Sequence, residues 1–363
     1  MKILHVDTEK YWRGGQQQVL YLHEGLIKRG IFSLLICNKS SELKNKCLKK
    51  KLPYIELNIF GELDIFAAKK ISNICKRESI DILQSHSAHS QTICLISKIF
   101  YSKVKLIAVR RVDFPIRKNI LSKIKYTNHN IDKIVCISDF IKQVMKNDGV
   151  DENKLLSIRS GTDIHKFDNI SFDISLRDSL GINSNSFIIG TVAAFAGHKD
   201  YPNLLRAFKI VNEKYENVKL CVVGDGPNKN EIENYAKELD IFYKIIFVGF
   251  QNEIGKYLRM FDLFVLSSKK EGLGTSIIDA MSIGLPIIAT NTGGIPELVK
   301  NNYNGILVKP KNSVALANAI IELIHNEELR KKIGTNAKVE VKNYSIENNI
   351  NQYIKLYKEL LKN

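Results

Sequence analysis

The 363-residue chain is long enough for about two domains, and with 44% hydrophobic and 25% charged residues it reads as globular rather than disordered, collagenous or membrane-spanning. Its formal charge of +16 is uneven: residues 1–165 hold 29 Lys and Arg against 16 Asp and Glu, or +13, leaving 25 against 22, or +3, for the rest. Such asymmetry points the first half toward an anionic partner (membrane lipid, a phosphorylated acceptor or nucleic acid), unless it only reflects a lysine-rich composition.

Lys2 to Val6 is an apolar strand, and Asp7 follows too early for a secretory leader. Arg13-Gly14-Gly15 then opens into a helix from Gln16 to Lys28, with Val19, Leu20, Leu22, Leu26 and Ile27 as its apolar positions and Gly30 as its stop. Strand, glycine loop, helix is a layout that cradles phosphate, but paired glycines also make simple turns, and there is no G-x-G-x-x-G or P-loop lysine. Alternation continues with strand Ser33 to Cys37, a basic helix bearing Lys44, Lys46, Lys49, Lys50 and Lys51, strand Tyr54 to Leu57 and helix Asp64 to Arg77. Strand Ile80 to Gln84 ends at Ser85-His86-Ser87-Ala88-His89, placing two histidines at a strand's carboxyl end, where ligands bind in parallel α/β sheets. After helix Gln91 to Tyr101, strand Val104 to Val109 runs into Arg110-Arg111-Val112-Asp113-Phe114. Helix Ile116 to Asn128, strand Lys133 to Ile137, helix Asp139 to Lys146 and strand Leu155 to Ile158 complete one Rossmann-like half. The helix from Ile116 carries Ile116, Ile120 and Ile124 beside Arg117, Lys118, Lys123 and Lys125, a pattern shared by crossover helices and by helices that lie on anionic membranes.

A polar stretch from Asp168 to Ser186 puts the domain boundary at 165/166. Strand Phe187 to Ala193, the segment Ala194 to Lys199 and helix Pro202 to Tyr215 open the second half. Strand Lys219 to Val223 ends in Gly224-Asp225-Gly226-Pro227, helix Asn228 to Leu239 follows, and strand Ile245 to Val248 ends in Gly249-Phe250-Gln251. Helix Ile254 to Arg259 leads to strand Asp262 to Leu266, the loop Glu271-Gly272-Leu273-Gly274, helix Thr275 to Ile283 and strand Pro286 to Ala289, a βαβ unit. Its loop offers glycines and helix-start amides suited to a phosphate, with a carboxylate suited to hydroxyl groups; together they suggest a nucleotide sugar. A last strand, Asn304 to Val308, precedes helices Val314 to His325 and Glu328 to Val341. Ser345 caps a final helix striped with Ile346, Ile350, Tyr353, Ile354, Tyr357 and Leu360. The six cysteines form no C-x-x-C pair and read as reduced core residues of a cytoplasmic protein.

Glu271, seven residues, then Asp279, followed by G-L-P and T-G-G-I-P-E-L-V, resembles the retaining glycosyltransferases of family 4, which have the GT-B fold. The resemblance spans nearly the whole chain and implies two Rossmann-like domains, 1–165 on the acceptor side and 166–343 on the donor side. It also implies a deep cleft and a crossover helix, 344–363, returning to the first domain. Glu271 would contact the transferred sugar and Asp279, one methylene shorter than the family's usual Glu, the ribose. Gly272, Leu273, Gly274 and Thr275 would hold the diphosphate, as would Gly14 and Gly15 from across the cleft, and the loop at Phe250 would border the base. Two departures stand out. The family's G-R-L-x-x-x-K keeps Lys199 but has Ala194 in place of the arginine of the phosphate clamp. Where relatives place a histidine, this chain has Arg111, so either His86 takes part of that role or Arg111 binds an anion.

The resemblance implies a retaining transfer from a nucleoside-diphosphate sugar to a sugar, lipid-linked or glycan acceptor in cell-surface glycan or glycolipid assembly. No separate cofactor is expected and no metal, because no Asp-x-Asp pair occurs. Cytoplasmic location is expected, with peripheral attachment to the membrane's inner face as an option. No nucleic-acid module is recognisable. Two rivals remain open: a GT-B nucleotide-sugar 2-epimerase, set apart by epimerised donor without transfer, and a non-catalytic basic protein binding membrane or nucleic acid.

Overall fold

The computed structural model describes residues 1–116 and 120–362. The chain divides into two compact units, Met1–Gly161 with Ile346–Asn363, and Thr162–Ser345. The division thus falls four residues before the expected 165/166, because Thr162 already belongs to the second unit: its amide donates to the Tyr344 carbonyl and it bridges Ser345.

In the first unit the strands are β1 (Lys2–Asp7), β2 (Phe32–Asn38), β3 (Tyr54–Leu57), β4 (Ile82–Ser85), β5 (Lys105–Arg110), β6 (Lys133–Cys136) and β7 (Leu155–Ser157). All pair in parallel in the order β3-β2-β1-β4-β5-β6-β7. Central strands such as β1 and β5 are buried along nearly their whole length, which is why they read as continuous apolar runs rather than alternating ones. The final helix, Ile346–Lys362, packs on helix Gly14–Lys28. Gly25 makes this approach possible, since a Cβ there would lie 2.1 Å from Ile350 Cδ1. Tyr357 donates to Gln84 Oε1 (2.5 Å) and Asn349 to the Arg159 carbonyl (2.6 Å), fixing the helix to the sheet.

The second unit repeats the plan with β8 (Phe187–Val192), β9 (Val218–Val223), β10 (Ile245–Gly249), β11 (Leu263–Leu266), β12 (Ile287–Thr290) and β13 (Ile306–Val308). These are also parallel, ordered β10-β9-β8-β11-β12-β13. Each sheet therefore has one switch point, β1/β4 and β8/β11, and ligands of open α/β sheets bind beyond the strand carboxyl ends at such points.

Most segments form as the periodicity predicts, with informative exceptions. The first helix starts at Gly14 rather than Gln16, so both glycines sit in its first turn instead of a loop. Helix Ala88–Phe100 starts earlier than Gln91 because Ser87 and Ser90 form a reciprocal capping box. Helix Ile174–Ser179, capped by Asp173, lies inside the polar stretch Asp168 to Ser186, for which the sequence predicts no element. The helix expected from Ile116 is present as Ile120–Thr127; Arg117 and Lys118 lie outside the described residues. The Lys44–Lys51 run does not present a bare cationic face: Lys44 pairs with Glu56 (3.1 Å), Lys50 with Glu24 (2.8 Å), and Lys46 lies over Trp12. All six cysteines are buried and unpaired. Among the described residues no helix is long and apolar enough to cross a membrane.

Candidate functional site

At the β8/β11 switch point, three loops are tied together by backbone. The Lys269 amide donates to the His198 carbonyl (2.8 Å), and Ser267 Oγ donates to the Lys199 carbonyl (3.0 Å). The T-G-G segment after β12 presses on the same loop. Gly294 N donates to the Glu271 carbonyl (3.0 Å), and a Cβ on Gly293, at φ +57°, would sit 1.8 Å from that oxygen. Only glycine allows that approach, so this motif fixes the backbone under Glu271. Gly224 and Gly226 do the same for the 193–195 segment: Cβ atoms there would meet the Ala193 and Phe195 carbonyls.

The side chains this framework brings together are Lys199 and Glu271. They form an ion pair, both mostly buried, and Ser268 Oγ donates to the same Glu271 Oε2 (3.2 Å). Gly272, Leu273 and Gly274 follow, Leu273 buried, and Gly274 (φ +90°) takes the left-handed backbone that starts helix Thr275–Ile283. Gly274 offers no side-chain cap and the first turn holds no acid. The first amides of such a helix start are of the kind that can serve as anion donors. Ala194 is exposed and carries no charge, so Lys199 is the cation that the 194–199 segment brings to Glu271.

Asp279 lies on the same helix but has partners that the sequence did not single out. Lys166 Nζ (2.6 Å) and Thr162 Oγ1 (2.9 Å) both bind its Oδ1. The shorter acid is thereby anchored through one oxygen to the segment that opens the second unit. Phe250 follows β10 at the sheet edge, 56% exposed, two strands away from β8.

In the first unit the β1/β4 switch point holds a second polar cluster. Gly15 lies against Arg111, with its Cβ position 3.3 Å from Arg111 Cδ, so the arginine stem covers the helix start that also contains Gly14. Asp7, at the end of β1, is buried and accepts from Glu9 N (2.9 Å) and Gln16 Nε2 (3.2 Å). Burial pushes its pKa up to about 6, against these hydrogen bonds and the Arg111 charge. Burial also lowers the Arg111 pKa, which Tyr353 and Asp7 oppose. His86 is not a residue open to substrate: it is 3% exposed, and its Nε2 lies 3.0 Å from His5 Nδ1. Burial, then His5, Arg111 and His23, hold its pKa well below the usual histidine value, so it is neutral near pH 7. His89, the other histidine of that segment, is exposed in the first turn of the next helix.

The Asp7 shift gives a pH prediction. A carboxyl whose folded pKa is raised from 3.8 to about 6 favours the folded state at low pH, and that contribution is lost as pH rises from about 4 through 6. Asp7→Asn is therefore expected to stabilise the fold at pH 7.5 by up to about 3 kcal/mol, with the gain vanishing near pH 4. Thermal melts of both proteins across that range check it; a gain independent of pH contradicts it.

Two parallel Rossmann-like units in one chain are the layout of the GT-B fold. The comparisons agree. Residues 173–340 match the glycosyl transferases group 1 family and residues 12–166 match Glycosyltransferase Family 4. An uncharacterized glycosyltransferase of Methanocaldococcus jannaschii is 30% identical over 303 residues, 82% of this chain and 80% of its own. The UDP-Gal:alpha-D-GlcNAc-diphosphoundecaprenol alpha-1,3-galactosyltransferase of Escherichia coli is 25% identical over 91% of this chain and 89% of its own. The crystal structure of Anabaena HepE in complex with UDP and glucose superposes with a TM-score of 0.87 at 21% identity, covering 99% of each chain. The protein belongs to glycosyltransferase family 4. It is a glycosyltransferase.

Proposed function

We propose that this enzyme transfers a hexose from a nucleoside-diphosphate sugar, a UDP-sugar first among them, with retention of anomeric configuration and without a metal. The carrying observation is the Lys199–Glu271 pair beside the open start of helix Thr275–Ile283. In the apo protein Glu271 neutralises Lys199; a bound diphosphate would draw the ammonium to itself and release Glu271 to accept from the sugar hydroxyls. Lys199 and the Gly272–Thr275 amides stabilise charge that grows on the leaving phosphate. The C1–O bond to phosphate breaks and the acceptor oxygen bonds C1 on the same face, its proton passing to the leaving phosphate oxygen. UDP is favoured because the structural neighbour HepE was solved with UDP and glucose. Asp279, held by Lys166 and Thr162, would meet the ribose hydroxyls.

The acceptor falls to the first unit, and we place it on a lipid carrier at a cytoplasmic membrane surface in cell-surface glycan assembly. The +13 charge of residues 1–165 supports anionic surroundings for it, and the E. coli relative is named for a diphosphoundecaprenol-linked acceptor. No cofactor takes part. The experiment is transfer from UDP-sugars in excess EDTA: undiminished product supports the reading, and activity lost on chelation and restored by Mg²⁺ or Mn²⁺ overturns its metal independence. Epimerised donor with no transferred sugar would favour the epimerase.

A further inference from the structure

The first unit carries an apolar surface that the donor chemistry does not use. Phe60 is 90% and Phe66 83% exposed, and Leu63 and Ile65 also stand out from the same corner. This corner is built rather than loose: Asp64 accepts from Phe60 N (3.1 Å) and Ala67 N (2.9 Å), pinning the loop to the start of helix Ile65–Arg77. Helix Ile120–Thr127 stands beside it. Lys125 Nζ donates to the Ala88 carbonyl (2.9 Å) and Thr92 Oγ1 (3.1 Å) and lies 3.5 Å from Glu62, whose carboxylate also accepts from Thr92. Ile120 (74%), Leu121 (72%) and Ile124 are all exposed, and in that helix only Tyr126 is buried.

Two separate segments, tied by the Lys125–Glu62 pair, thus carry seven large exposed apolar side chains. Contiguous exposed apolar surface of this kind marks an interaction site rather than ordinary surface. The charges around it fit one occupant. Lys69 and Lys70 are exposed one turn beyond Phe66, and Lys123 is exposed between Leu121 and Ile124. Glu62, the acid beside them, is engaged by Lys125. Projecting aromatic and aliphatic tips among outward lysines complement an anionic lipid surface: the tips enter the acyl boundary while the ammonium groups stay at headgroup level. A helix that merely covered the sheet would bury this stripe.

We infer that the corner formed by Phe60, Leu63, Phe66, Ile120, Leu121 and Ile124 is a docking surface for an anionic membrane. It rests on the membrane-borne acceptor proposed above and names the surface that reaches it. It also separates this corner from Lys44–Lys51, where Lys44 and Lys50 are ion-paired within the fold and Lys46 lies over Trp12.

Flotation with phosphatidylcholine vesicles, with and without phosphatidylglycerol, tests this. The wild type is expected to float only with phosphatidylglycerol and to be released by about 0.5 M NaCl, where screening acts within a few Å. Phe60→Ser/Phe66→Ser and Leu121→Ser/Ile124→Ser should each weaken binding by about tenfold or more, since burial of apolar area drives interfacial insertion. Lys46→Gln/Lys49→Gln should bind as wild type, and Phe66→Trp should gain blue-shifted emission on the anionic vesicles. Binding lost in the lysine variant but kept in both apolar variants overturns the proposal. So does a concentration-dependent dimer abolished by the apolar substitutions, which would assign the corner to a second copy. A wild type that binds UDP but ignores the vesicles overturns the surface while leaving the donor reading intact; one that binds neither removes both.

Discussion

Glu271→Gln is expected to lower turnover by about a hundredfold or more, the usual cost of removing an oriented polar group from a reacting centre. The glutamine keeps the volume and one oxygen, and the Glu271 carbonyl still accepts from Gly294, so the loop should hold its shape. What is lost is the charge that pairs with Lys199 and accepts from Ser268. The pair is not fully buried, so the melting temperature should fall only slightly. Steady-state kinetics on the folded variant decide the matter, and near-normal transfer would remove Glu271 from the chemistry.

Lys199→Ala is expected to weaken binding of the nucleoside diphosphate by about 1.5–3 kcal/mol, the worth of a charge-assisted contact. Ala194 supplies no second cation on that segment, so little can compensate locally. The substitution also leaves Glu271 as an unneutralised carboxylate beside an anionic ligand, which adds to the loss. Titration calorimetry with UDP gives the number; unchanged affinity would make Lys199 only the counter-ion of Glu271.

The alternation of strands and helices was legible because buried parallel strands show as short apolar runs and crossover helices as striped ones. Gly14 and Gly15 read as a loop because glycine disfavours a helix interior, yet in the first turn their amides need no intrahelical acceptor. Helix Ile174–Ser179 escaped because six residues carry too little periodicity against their polar setting. In the site, Glu271 and Lys199 were legible from the framing glycines, although their pairing across 72 residues was not. Lys166 and Thr162 gave no local signal, since their meaning lies in Asp279, more than a hundred residues away. Asp7 was visible as a polar residue ending an apolar strand, but its burial depends on Gln16 and Arg111 closing over it. His86 shows the converse: its position at a strand's carboxyl end was right, while its ring turns inward to His5, a choice set by packing that no spacing reveals.

In the proposed reaction a sugar leaves the diphosphate held beside Lys199 and Glu271 and reaches an acceptor on the same face. Proton NMR of the product made from an α-linked UDP-hexose tests it most directly, because the anomeric H1–H2 coupling reports the new linkage as it forms. An α-linked product is expected to accumulate from the first turnovers in the presence of EDTA. A β-linked first product, or an epimerised UDP-sugar with nothing transferred, would contradict it.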